Sequence, residues 1–133
     1  MYRTADGSSE VDLIIKNHDN QTLDLYEMKQ SSQMIPEQAK HLLNREFIRE
    51  IEQELGYKAA GYYVLYNGEN SRQEYHPAEV FERLREENLK LNKTQNVERW
   101  ERLFQQARIE AWRPIEIEYL NMTEFLCALE IVK

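Results

Sequence analysis

The sequence predicts an α/β fold in which a mixed β-sheet of about four to five strands is flanked by helices. Three stretches lead to this prediction. Residues 10–29 alternate apolar and polar side chains as a β-hairpin does. Residues 37–55 repeat apolar side chains at helical spacing, and residues 59–66 form an almost unbroken apolar and aromatic run, typical of a strand buried on both faces. Since a strand, a long helix and a second strand generally need a parallel crossover, the sheet is expected to be mixed.

Length and composition set the broad class. The 133 residues suit one domain, predicted over 1–133. No apolar run approaches the ~18 residues that span a bilayer, and no signal peptide opens the chain. We therefore expect a cytoplasmic protein with no membrane partner. The single cysteine, Cys127, lies in an apolar run and is expected to be a small buried hydrophobic residue rather than a reactive thiol.

The charge balance bears on partners. The chain carries 17 basic and 24 acidic residues, a net charge of −7. Proteins that bind nucleic acid by themselves gain most non-specific affinity from Lys and Arg that neutralise phosphates. If nucleic acid is the substrate, metal ions must offset the charge repulsion with the phosphates. Another domain must then supply much of the binding affinity. This expectation fits a fragment of a larger protein, as does a chain that begins directly at an apparent strand.

The hairpin carries the candidate chemistry. Alternation places Glu10 and Asp12 on one face of the first strand, and Glu27 and Lys29 on one face of the second. The polar connection at residues 17–21 is typical of a turn. If the acidic faces meet, two carboxylates converge with an ammonium group beside them. Such a set can hold a divalent cation and a phosphate.

These residues resemble a known family. An Asp on one strand followed by Glu-x-Lys on the next is similar to the signature of the PD-(D/E)XK nuclease superfamily, whose restriction-endonuclease-like core is a mixed sheet flanked by helices. More narrowly, the chain resembles the nuclease-like C-terminal domain of a group of prokaryotic AAA-type ATPases over residues 2–32. The segments that carry this resemblance are Tyr2-Arg3-Thr4, Asp6-Gly7, Glu10-Val11-Asp12 and Glu27-Met28-Lys29.

The resemblance implies a Mg²⁺- or Mn²⁺-dependent nuclease domain that hydrolyses DNA and follows an ATPase domain in the same chain. It makes Asp12, Glu27 and the backbone carbonyl of Met28 the metal ligands. Lys29 would orient the attacking water or stabilise the pentavalent phosphate. Glu10 lies two residues from Asp12 and could assist through a water molecule. Asp12, Glu27 and Lys29 are thus the candidate catalytic residues.

Two alternatives stay open. The acidic face could be an ordinary surface whose carboxylates pair with Lys16 and Lys29, in ion pairs worth ~0 to 1 kcal/mol each. The domain could also be a catalytically inactive descendant of the nuclease fold that serves docking or regulation in the ATPase. Gln30 and Gln38 are candidate polar helpers, although Gln30 should point away from Lys29 and Gln38 is more typical of a solvated position.

The rest of the chain predicts support for this site. Pro36 suits the first turn of the long helix, and Gly56 should end it. A second helix is expected from Pro77 to about residue 88, a loop at residues 90–96, and a third helix capped by Asn96. Residues 77–111 would elaborate the core. A short edge strand at residues 116–120 and a final helix, whose capping box pairs Asn121 with Glu124, complete the chain.

Other polar and aromatic residues suggest structural roles. His18, His41 and His76 lack metal-ligand spacing. The tyrosines of residues 62–66 are expected in the core. Arginines interleaved with glutamates predict solvated helix faces, among them Arg45 and Arg49. The sequence contains no glycine-rich phosphate loop, so this segment should not bind ATP by that means.

Overall fold

The computed structural model describes residues 2–3, 10–91, 94–109 and 113–131. The strands are β1 (Tyr2–Arg3), β2 (Glu10–Val11), β3 (Leu13–Asn17), β4 (Thr22–Met28), β5 (Lys58–Tyr66), β6 (Ser71–Tyr75) and β7 (Ile115–Asn121). The helices are α1 (Lys40–Leu43), α2 (Arg45–Leu55), α3 (Pro77–Lys90), α4 (Thr94–Ile109) and α5 (Met122–Ile131), with a 3₁₀ turn at Pro36–Ala39 before α1.

The main sheet has five strands in the order β3-β4-β5-β7-β6. β3 and β4 are antiparallel, whereas β4 with β5 and β5 with β7 are parallel. β1 and β2 form a separate antiparallel pair. The mixed sheet and its helices confirm the predicted α/β class.

β3 and β4 form the predicted hairpin, but the first of its two strands is interrupted once. Leu13 lies opposite Tyr26, and Asn17 lies opposite Thr22. Asp12 forms a bend between β2 and β3, so the first run is two short strands rather than one. At this bend the Asp12 N–H donates to the carbonyl of Tyr26, the residue that lies opposite Leu13.

The two faces of the sheet are covered by different helices. Leu25 and its register partner Tyr62 share one face, where the Arg45 guanidinium of α2 lies 6.0 Å from the Tyr62 ring centroid. Tyr26 points to the other face, where its ring lies 5.2 Å from that of Phe125 in α5. The fully buried side chains of Leu23, Leu25, Val64, Ile117 and Tyr119 form the centre of this core.

Two strand predictions were wrong in part. β5 is buried on both faces only at its C-terminal third, Val64 to Tyr66, and Tyr62 and Tyr63 are half-buried. β7 lies between β5 and β6 rather than at an edge. The edge strand beside β7 is β6, which the sequence did not reveal because SRQEY lacks the apolar alternation of a half-buried strand.

The long helix is broken where the sequence predicts continuity. Asn44 has extended backbone, and its side-chain Oδ1 accepts a hydrogen bond from the Phe47 N–H, which makes it the N-cap of α2. The apolar stripe continues across the break, so periodicity alone did not show it. Gly56 ends α2 in the left-handed conformation, with φ of 74°, as predicted.

Replacing Gly56 with Ala is expected to destabilise the fold by ~1 kcal/mol, because a Cβ is disfavoured in the left-handed region. Nothing lies within 4 Å of the added Cβ, so the cost is backbone strain without a clash. Urea unfolding would measure it, with the exposed Gln53 replaced by Ala as the control. Equal unfolding midpoints for the two variants would contradict this explanation.

The chain divides into two compact units: residues 1–73 with 116–133, and Glu74–Ile115. The second unit contains the helices expected as an elaboration, α3 and α4. Phe81 and Trp100 stack at 6.0 Å between ring centroids, and Arg85 pairs with Glu101 at 2.7 Å. α4 begins at Thr94, so Asn96 lies inside the helix instead of capping it, and the predicted loop is shorter. Ala111, the expected end of this helix, lies outside the described residues.

The C-terminal helix begins where the sequence predicts, but the predicted burial of its cysteine is wrong. The Asn121 Oδ1 accepts a hydrogen bond from the Glu124 N–H at 3.0 Å, as an N-cap does. Cys127 is exposed, so the prediction that it is buried was wrong; one apolar run does not say which face of a helix packs. In the described part of the chain, no helix is long and apolar enough to cross a membrane.

Candidate functional site

Asp12 joins the bend of the first strand to the end of β4. Its backbone N–H donates to the Tyr26 carbonyl at 3.1 Å. Its side-chain Oδ2 accepts a hydrogen bond from the Met28 N–H at 2.8 Å. The carboxylate therefore replaces the next backbone partner in the ladder, which fixes it beside the last residues of β4.

Glu27 and Lys29 meet as the alternation predicts. The Lys29 Nζ lies 3.6 Å from the Glu27 Oε2. Glu27 is only 2% exposed, whereas Lys29 is partly open to solvent. The Lys29 N–H donates to the Leu65 carbonyl of β5 at 2.8 Å, so β4 remains anchored to the sheet beyond its last assigned residue.

One oxygen of Glu27 is left without a hydrogen bond. Among the described residues, no donor reaches the buried Oε1. A buried polar atom in this state costs ~1 to 3 kcal/mol. An oxygen that a folded protein keeps buried and unpaired at such a cost is a candidate ligand for a cation or a water molecule.

Burial raises the pKa of Glu27 to about 8. The Lys29 ammonium opposes this rise, while the charges of Asp12 and Glu10 add to it. At neutral pH the Glu27 carboxyl is therefore largely protonated. A further positive charge near the carboxyl group would favour loss of this proton at neutral pH.

Met28 contributes backbone groups to the same place. In an extended strand, the N–H and C=O of one residue point to the same neighbouring strand. The Met28 N–H points at Asp12, so its carbonyl is directed to the same side. The three candidate oxygen ligands thus belong to adjacent positions at the end of β4 and the bend that faces it.

This set is sparse for a metal site. No group of three or more His, Cys, Asp or Glu residues within the described ranges is arranged to hold a metal ion. Mg²⁺ often binds through one or two carboxylates and keeps several waters. Two carboxylates and a carbonyl fit such a site, and they do not fit an ion that needs a full protein cage.

The other candidate residues take no part in this arrangement. Gln30 is exposed. The Gln38 Oε1 accepts a hydrogen bond from the Ile35 N–H at 3.2 Å, which closes the 3₁₀ turn. His18 Nδ1 lies 2.7 Å from the Tyr57 hydroxyl, far along the hairpin from Asp12.

A second acidic group, which the sequence did not reveal, lies on the opposite face of the sheet. Burial and then the charge of Glu118 raise the pKa of Asp24. The Arg72 Nη2 pairs with Glu118 at 3.1 Å. The alternation along β4 already places Asp24 on the face away from Glu27. The proximity of Asp24 to Glu118 depends on the parallel pairing of β5 with β7.

Comparison with known proteins finds no matching family model, no matching curated protein and no matching solved structure.

Proposed function

We propose that this domain is a Mg²⁺-dependent nuclease domain that hydrolyses DNA phosphodiester bonds. The observation that carries the proposal is the convergence of Asp12, Glu27 and Lys29 at the end of β4, with the Glu27 Oε1 buried and lacking a hydrogen bond among the described residues. Mn²⁺ would serve in place of Mg²⁺. The resemblance of the hairpin to the nuclease-like domain of AAA-type ATPases supports an ATPase domain as a partner in the same chain.

Each residue has a definite role in this proposal. The ion would be bound by Asp12, Glu27 and the Met28 carbonyl. The Met28 N–H holds the Asp12 carboxylate in place. A bound Mg²⁺ supplies a Lewis acid for the phosphoryl oxygen and lowers the pKa of its water. Lys29 would hold the attacking water or offset the charge that develops on the phosphate. Glu10, whose charge acts on Glu27, could bind through a water molecule.

Binding of the ion and ionisation of Glu27 are coupled. Metal ligands must be deprotonated, so a cation at this site would displace the Glu27 proton. The loss of that proton in turn strengthens the attraction between Glu27 and Lys29. The raised pKa of Glu27 therefore fits a carboxyl group that ionises when a cation binds.

Titration with Mn²⁺ tests the proposal. The wild type should bind, and the Asp12→Asn variant should bind at least about tenfold more weakly, because it keeps a hydrogen-bond acceptor for the Met28 N–H but loses the charge. The exposed turn residue Asp19, replaced by Asn, is the matched control and should bind as the wild type does. Equal and negligible binding in wild type and Asp12→Asn would rule out the metal site.

A second candidate function is docking or regulation within an ATPase by a catalytically inactive nuclease fold. The net charge of −7 and the sparse carboxylate set favour it. Under this alternative the protein binds no Mn²⁺ and cleaves no DNA, and the same titration separates the two.

A further inference from the structure

A basic cleft of about 530 Å³ lies in the first unit, beside the helix α2 and the start of β5. Arg45, Arg49 and Lys58 contribute its positive charges, and Glu52 and Tyr57 also line it. Arg49 and Lys58 are exposed. In a chain with a net charge of −7, three cations around one cavity are a marked local reversal of charge.

The carboxylate of Glu52 offsets one of these three positive charges, so the residues that line the cleft keep an excess of two. The Glu52 Oε2 accepts a hydrogen bond from the Ala59 N–H at 2.9 Å, so it serves to join α2 to β5. The Arg45 Nη1 donates to the Tyr62 hydroxyl at 2.9 Å, which fixes the direction of its side chain. A guanidinium has five N–H donors, so this contact leaves others for an anion.

Tyr57 adds an aromatic surface. Its hydroxyl lies 2.7 Å from His18 Nδ1, and the two rings meet edge to face at 5.7 Å between centroids. Tyr57 is half-buried, so part of its ring is accessible. Positive grooves that combine with an aromatic side chain are typical of surfaces for single strands, because the backbone follows the charge and a base stacks on the ring.

The cleft lies at the start of β5, toward the opposite end of β4 from the candidate metal site. Tyr62, which contacts Arg45, is the register partner of Leu25, two residues before Glu27. Lys58 is the partner of Thr22, five residues before Glu27. At about 3.3 Å per residue, the Lys58 backbone lies roughly 17 Å from Glu27 along β4.

We propose that the cleft binds the phosphate backbone of a single nucleic-acid strand, with Arg45, Arg49 and Lys58 on the phosphates and Tyr57 beneath a base. This inference rests on the proposed nuclease function, because the cleft would supply part of the affinity for nucleic acid that an acidic chain lacks. It assigns a role to arginines whose spacing among glutamates predicts a solvated helix face.

Binding of a fluorescein-labelled 12-nucleotide oligothymidylate, measured by anisotropy in EDTA, tests the inference without cleavage. A triple variant, Arg45→Gln with Arg49→Gln and Lys58→Gln, should bind at least about tenfold more weakly at 0.1 M salt, and the slope of log K against log salt should fall by about 2. The matched control neutralises three exposed cations elsewhere, Lys16, Lys90 and Arg113, with the same change in net charge. It should retain affinity within about twofold.

Three outcomes would overturn the inference. One is an unchanged affinity and salt slope in the triple variant. Another is an equal loss in the control variant, which would mean that only net charge matters. The third is displacement of the oligonucleotide by inorganic phosphate at an equal phosphate concentration, which would indicate a general anion site. If the triple variant does not fold, Arg49→Gln and Lys58→Gln singly should each lower the slope by ~0.7, and an unchanged slope in both would overturn it.

The same assay separates this inference from the proposed function. The Asp12→Asn variant should keep its affinity for the oligonucleotide in EDTA while losing Mn²⁺ binding. Loss of oligonucleotide binding in the triple variant, together with no Mn²⁺ binding by the wild type, would leave the cleft standing and remove the nuclease proposal.

Discussion

Replacing Lys29 with Met is expected to reduce Mn²⁺-dependent DNA cleavage by about a hundred- to a thousandfold, the usual effect of removing one group that stabilises developing charge. Methionine keeps an unbranched apolar stem but carries no ammonium group. The Lys29 backbone bond to Leu65 is unaffected, and its side chain is 36% exposed, so the fold should survive. Cleavage of a labelled oligonucleotide and thermal unfolding, measured on the same preparation, would show the two effects separately.

A matched variant distinguishes this role from a general loss of charge. Lys16 is an exposed lysine in the same hairpin, opposite Leu23. Lys16→Met should cleave as the wild type does. Cleavage by Lys29→Met at the wild-type rate would remove Lys29 from the proposed mechanism, even if the metal site stands.

The affinity for Mn²⁺ is expected to rise about tenfold for each pH unit between pH 6 and pH 8, and to level off above that range, because one proton must leave for each ion bound. The proton is that of Glu27, whose pKa burial raises to about 8. Calorimetric titration across this pH range in buffers of different ionisation enthalpy would measure both the affinity and the proton released. A flat affinity from pH 6 to pH 8 would contradict the role of Glu27.

The stability of the metal-free protein should have the opposite trend. The folded state holds a proton on Glu27 that the unfolded chain, with its ordinary carboxyl pKa of 4.5, releases at lower pH. The contribution of Glu27 to the free energy of unfolding is therefore largest below about pH 4.5 and decreases as the pH rises to about 8. Glu27→Gln should remove this slope and raise the melting temperature at pH 8.5 by roughly 5 °C or more, while abolishing Mn²⁺ binding.

The exposed Glu79 of α3, replaced by Gln, is the control for this comparison. It should change neither the pH dependence nor the metal affinity. A Glu27→Gln protein that melts as the wild type does at every pH would mean that the Glu27 carboxyl is not held neutral in the folded state.

Local patterns in the sequence were enough for much of the fold. A period of two defined the hairpin and a helical period defined the stripe on α2, because an apolar face must be buried wherever it occurs. Gly56 and Asn121 marked a helix end and a helix start through backbone requirements that few other residues meet. These features depend on neighbours within a few positions, so they can be read from the chain.

Pairing between distant segments could not be predicted in the same way. β6 is polar and was missed, and β7 occupies an inner position that its short alternating run did not indicate. Cys127 is exposed because the packing of α5, rather than its composition, decides which side is buried. Asn44 interrupts a helix whose apolar stripe continues on both sides.

For the candidate site, the sequence by itself determined which residues share a face of their own strand: Glu10 with Asp12, and Glu27 with Lys29. Only the tertiary structure decided their chemical state. Burial of Glu27 beneath its neighbours raises its pKa, and the bend at Asp12 turns that carboxylate onto the Met28 N–H. The reason is physical: alternation along a strand is set by the local backbone, whereas desolvation and hydrogen-bond partners depend on the segments that fold against it.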